Sequence, residues 1–224
     1  MKMSKALPLL LAVVASVSAG AADLDYSMKL RGIVGTESKE GVRNGIGLGL
    51  NVGVPLAKGS KVDVEVGYRY LTGDGRDVAF PANALGSTLN NSTNFQKTNV
   101  QGFVLRGAYS QSFMMDNLSW HAGLSVNFLK SRMDAISDFR STATPGTSSG
   151  AWAINPEKNA TTVSPFVGLA YDFSQSGGME VNLIMDSYKQ VTVDPNFTTT
   201  PITPSFGSKN INTLKIEVGY TFRF

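Results

Sequence analysis

The chemistry open to this chain is narrow, because 224 residues contain one histidine and no cysteine. Thiol nucleophiles, disulfides and thiolate metal sites are excluded, and so are multi-histidine metal sites. One nucleophilic constellation remains. Ser119 and His121 are two residues apart, a spacing that puts both on one face of a strand, and Asp172 is an acid that could orient the ring. Serine hydrolysis needs the hydroxyl and the imidazole in hydrogen-bond reach, with the acid behind them. A lone histidine in such a setting is more often a satisfied structural residue, and the expectation is no catalytic site. Gly73-Asp-Gly-Arg-Asp77 invites a calcium reading. Two acids fall short of a cage of about six to eight oxygens, so a solvated turn is the simpler assignment. No metal and no cofactor are expected.

The remaining charges must be placed by the elements that carry them, and those elements keep a period of two. Ile46, Leu48, Leu50, Val52, Val54 and Leu56 alternate with Gly47, Gly49, Asn51 and Gly53. After a four-residue turn, Val62, Val64, Val66, Tyr68 and Tyr70 alternate with Asp63, Glu65, Gly67 and Arg69. The last run sets Leu214, Ile216, Val218, Tyr220, Phe222 and Phe224 against Lys215, Glu217, Gly219 and Arg223. Weaker alternation marks Leu24–Gly35, Thr98–Ser110, Leu118–Leu129, Thr161–Phe173 and Met179–Lys189. No sustained helical period occurs. These runs meet the roughly 9–11 residues a tilted strand needs to cross a bilayer, whereas strands of soluble sandwiches average about 5–6.

Connections alternate in length as well. The gaps 57–60, 111–117 and 174–178 are short, and 36–45, 72–97, 130–160 and 190–211 are long. An eight-stranded antiparallel up-and-down transmembrane β-barrel with short turns at one end and long surface loops at the other predicts this. Residues 1–21 read as a secretory signal peptide, with Lys2 and Lys5, an apolar stretch, then Ala19-Gly-Ala21. The barrel would occupy 22–224. Net charge is only +3 before that segment is removed, and no basic stripe occurs, so nucleic acid is not an expected partner.

The barrel reading fixes faces. Tyr26, Tyr109, Trp120, Tyr171, Phe173, Phe222 and Phe224 fall at the short-turn ends of the outward face. Tyr68, Tyr70, Phe103 and Phe128 fall at the opposite ends. Two aromatic girdles flanking an aliphatic band mark membrane interfaces. The inward face carries Asp25, Lys29, Arg31, Asp63, Glu65, Arg69, Arg106, His121, Asp172, Glu180, Asp186, Lys215, Glu217 and Arg223. Buried charges need partners. Depth suggests Glu65 with Arg106, Lys215 with Asp186, Glu217 with Lys29 or Arg31, and His121 near Asp172. Eight strands leave a lumen that side chains can fill, although inward glycines such as Gly47, Gly49, Gly67, Gly123 and Gly168 leave room in it.

Tyr220-Thr-Phe-Arg-Phe224 resembles the terminal signal of bacterial outer-membrane proteins, and Glu65-Val-Gly-Tyr-Arg-Tyr70 is similar to a strand of small outer-membrane barrels. The chain thus resembles the OmpA-like, OmpX-like and opacity-type barrels. That resemblance implies an outer-membrane location, insertion by the barrel-assembly machinery with Tyr220, Phe222 and Phe224 as assembly signal, and contact with outer-membrane lipids and lipopolysaccharide. It is weak for activity. The expected role is a non-enzymatic anchor for surface loops, serving envelope integrity or surface contact. A narrow porin-like conduit for small solutes is the second reading, and a lipid A-modifying enzyme the third. The long loops are rich in Ser, Thr, Asn, Gly and Pro, as in Ser141-Thr-Ala-Thr-Pro-Gly-Thr-Ser-Ser-Gly150, and name no ligand.

Overall fold

The computed structural model describes residues 24–35, 44–57, 59–73, 76–79, 89–113, 117–141, 149–194 and 205–224. Ten strands run in order: β1 (Asp25–Gly35), β2 (Asn44–Ala57), β3 (Ser60–Thr72), β4 (Arg76–Ala79), β5 (Leu89–Ser112), β6 (Leu118–Ser141), β7 (Ser149–Ile154), β8 (Glu157–Asp172), β9 (Gly177–Asp194) and β10 (Ser205–Arg223). Eight of them close a barrel. β1 pairs with β2 and β10, β2 with β3, β3 with β5, β5 with β6, β6 with β8, β8 with β9 and β9 with β10, all antiparallel. β4 and β7 are short strands laid beside the upper parts of β5 and β6. Each of the eight alternating runs lies within a barrel strand or overreaches it by one residue.

Alternation translates directly into exposure. On β8, every second residue from Thr161 to Tyr171 is exposed, while Ser164, Phe166 and Gly168 between them are buried. Outward Leu30, Leu48, Leu50, Val66, Leu124, Val167, Val181, Ile216 and Val218 are all about half exposed. An apolar belt thus encircles the barrel, uncovered among the described residues. The short-turn end is tightly built: Gly59 takes φ 77° in the β2–β3 turn, a left-handed conformation that suits glycine.

The four long spans need adjustment, and none is wholly loop. β2 starts at Asn44 within 36–45, and β9 runs to Asp194 and β10 starts at Ser205 within 190–211. Within 72–97 and 130–160, β5 starts at Leu89 and β6 runs to Ser141. Beyond the belt these strands carry polar residues at both parities, so alternation fades although pairing continues. Residues 1–21, and much of the four long connections, lie outside the described residues.

Candidate functional site: the barrel lumen

The lumen is a stack of layers, and strand parity decides which side chains reach it. At the short-turn end lies a cavity of about 400 Å³, lined among others by Asp25, Ser27, Lys29, Asp63, Ser110, Ser119, His121, Asp172 and Arg223. Asp63 accepts from Asn51 Nδ2 at 2.9 Å and Ser110 Oγ at 2.7 Å, with Lys61 Nζ 3.5 Å away. Asp172 pairs with Arg223. These groups hold the rim of a polar vestibule.

The floor of the vestibule is an ion-pair layer. Arg31 donates both terminal nitrogens to the Glu65 carboxylate and its Nε to Glu180, whose other oxygen takes Lys29 Nζ at 2.9 Å. Arg106 makes a fork with Glu217, both bonds 2.7 Å, and lies 5.3 Å from the Phe166 ring centre. Three cations therefore face three carboxylates, and the layer is neutral. Bidentate guanidinium–carboxylate geometry is what makes such burial tolerable. One level further, Asp186 bridges Arg69 and Lys215 at 2.8 Å each, and Lys215 Nζ sits 4.8 Å from the Tyr188 ring centre. A cavity of about 10 Å³ lies between these levels.

Above the charges the lumen turns apolar. Ile33, Leu71, Val100, Leu129, Tyr188 and Ile211 form one buried cluster. All six side chains point inward from six different strands, so the cluster caps the lumen. The sequence does not single it out, because inward apolar residues break no rule of composition or alternation. The signal was present: each of these residues continues the inward parity of its strand past the last charge.

Structure and expectation compare residue by residue. Lys29, Arg31, Asp63, Glu65, Arg69, Arg106, His121, Asp186, Lys215 and Glu217 all reach the interior, and Asp172 lines its mouth. Lys215 does pair with Asp186. Glu65 does not pair with Arg106, although the two are register partners across β3 and β5. Arg31 takes Glu65, and Arg106 reaches Glu217, which also forms the expected ion pair with Arg31 at 3.9 Å. Nor does His121 meet Asp172. Its Nε2 bonds the Asn182 side-chain oxygen Oδ1 on β9, and Asp172 is turned to Arg223, so the Ser119–His121–Asp172 relay is not assembled. The inward glycines do not leave a channel. A Cβ on Gly49 would collide with the Glu65 carboxylate, and one on Gly168 with Asn182 and His121, so these glycines are the space the polar layer occupies.

Outward aromatics fall at two levels. Tyr26, Tyr171, Phe173, Phe222 and Phe224 are exposed near the short-turn end, with Tyr109 against Trp120 at 5.8 Å and Tyr220 against Phe222 at 4.3 Å. Tyr68 meets Phe103 edge-on at 5.4 Å, beside exposed Phe128. Tyr70, Trp120 and Tyr220 are half-buried rather than fully exposed.

No family model matches the sequence, and no curated protein matches it. Solved structures do resemble the fold. A major outer membrane protein from Thermus thermophilus aligns over 90% of this chain and 100% of its own, at 13% identity and TM-score 0.50. Neisserial surface protein A aligns over 92% and 99%, at 10% identity and TM-score 0.45. The attachment invasion locus protein of Yersinia pestis, solved with the heparin analogue sucrose octasulfate, aligns over 90% and 97%, at 8% identity and TM-score 0.42. At 13% identity the likeness to the Thermus outer membrane protein speaks to fold alone.

Proposed function

We propose that the chain is an integral outer-membrane barrel whose closed body holds surface loops at the cell exterior, for envelope integrity or surface contact. The observation that carries this is the inversion of the usual globular arrangement: an exposed apolar belt around a charged, self-neutralised interior. A soluble protein rarely exposes a contiguous apolar patch beyond a few hundred Å², and a closed barrel is one of the two folds that satisfy every backbone group in lipid. The signal-like segment 1–21 and the Tyr220–Phe222–Phe224 ending support export and barrel assembly, and lipopolysaccharide would be the neighbour on the outer face.

The layered lumen supports closure. Refolded protein lacking residues 1–21, shown folded by heat-shifted gel mobility, should be silent in a planar bilayer. Steady single-channel steps would overturn the closed reading and favour a narrow solute conduit. The polar vestibule of about 400 Å³ favours the conduit, since it would carry water part of the way.

A further inference from the structure

The two ion-pair levels differ in their charge count. In the lower one, Lys29, Arg31 and Arg106 face Glu65, Glu180 and Glu217, three against three. In the upper one, Arg69 and Lys215 share the single carboxylate of Asp186. Arg69 is 2% exposed, Lys215 0% and Asp186 1%. The upper level therefore holds one net positive charge away from solvent. A buried charge without a counter-charge is strongly unfavourable in a low-dielectric interior.

Donors are left over at the same place. Arg69 gives Nη2 to Asp186, and Arg106 gives Nη1 and Nη2 to Glu217. Arg69 Nε and Nη1 and Arg106 Nε are buried with no hydrogen-bond partner among the described residues. Both arginines line the cavity of about 10 Å³ between the levels, together with Arg31, Glu65 and Glu217. The two carboxylates there are already engaged, since Arg31 takes both oxygens of Glu65 and Arg106 both of Glu217. What remains to be matched is N–H and positive charge. The volume is about that of one water, too small for sulfate, phosphate or an organic acid. A water could accept from two of the N–H groups but would leave the charge. A monatomic anion matches both.

From this we infer that the cavity between the two ion-pair levels binds a single halide ion, chloride in ordinary media, held by the Arg69 and Arg106 guanidinium groups. Arg31, Glu65 and Arg106 line the vestibule as well as this cavity, so the ion enters from the short-turn end. The site lies inside the barrel and does not depend on the anchoring role proposed above. Its test is urea unfolding of the refolded chain in detergent micelles, with sodium gluconate replaced stepwise by chloride at constant ionic strength. The folded-to-unfolded ratio at fixed urea should rise about tenfold for each tenfold rise in chloride above the dissociation constant, the linkage for one site. Val104→Ile adds a methyl group at the cavity wall, keeps every charge, and should remove that dependence. A ratio indifferent to chloride up to molar concentration overturns the site and leaves water on the arginines. So does an equal rise in Val104→Ile that has reached heat-shifted gel mobility. Where that variant does not fold, wild-type crystals grown in bromide decide: an anomalous scattering peak between Arg69 and Arg106 supports the site, and no peak there overturns it.

Discussion

The two halves of the lumen are built on the same strands with the same inward parity, yet they close by opposite means. Toward the short turns, Arg31, Glu65, Arg106, Glu180 and Glu217 fill the bore with paired charge beneath a polar vestibule. Toward the long connections, Ile33, Leu71, Val100, Leu129, Tyr188 and Ile211 fill it with dry packing. Dry packing tolerates imperfect partners, because dispersion is non-directional. The ion layer does not, because each removed partner leaves a charge unpaired at low dielectric. The charged layer is thus the more demanding of the two to assemble, and the apolar cluster fills the bore with a separate set of side chains.

The harshest way to break the comparison is at Arg31, which serves Glu65 and Glu180 at once. Arg31→Ala should cost about 3–5 kcal/mol, the usual loss when one partner of a buried pair is removed, read as a lowered urea midpoint of the barrel in vesicles. A loss below about 1 kcal/mol, the range of solvent-exposed pairs, would mean that vestibule water already solvates both carboxylates. In the cap, Leu71→Ala should cost about 2–5 kcal/mol by lost burial plus cavity, since Leu71 is 0% exposed. Neither variant alone should conduct in a planar bilayer, because the other layer still blocks the bore. The double variant should stay silent as well, because Asp186 with Arg69 and Lys215 still fills the level between the two layers. Conductance by Leu71→Ala alone would make the cap the sole seal.

How much of this was legible in sequence depends on what parity can carry. Face and level follow from alternation, so Lys215 and Asp186 were placed together correctly on neighbouring strands. Choice among several cations at one level does not follow. Glu65 and Arg106 are register partners, yet long side chains reach across the bore, and Arg31 offers Glu65 a two-pronged fit that leaves Arg106 for Glu217. The cap escaped notice because inward apolar residues break no rule of composition. Glycines were misjudged most plainly: Gly49 reads as empty space, whereas the Glu65 carboxylate occupies it. Gly49→Ala should therefore cost about 1–3 kcal/mol by overpacking, measured by the same urea midpoint. Glu65→Gln in the same chain should not relieve it, since the shape of the head group is unchanged.

The smallest effect belongs to an ion pair outside both halves. Lys130 and Glu157 lie 2.6 Å apart on the outward face of β6 and β8, at 45% and 42% side-chain exposure. By distance alone this pair rivals any in the lumen. Water solvates both groups before and after pairing, salt screens them, and two long side chains lose freedom to meet. Lys130→Ala should shift stability by no more than about 0.2–1 kcal/mol, and that shift should shrink as salt is raised. The Arg31→Ala penalty should hold nearly constant over the same salt range, because its carboxylates are shielded from bulk ions. A Lys130→Ala loss that matched the lumen and ignored salt would show this outer face to be covered, either by a headgroup or by the connection that follows Ser141, and would extend the dry half of the molecule beyond its cap.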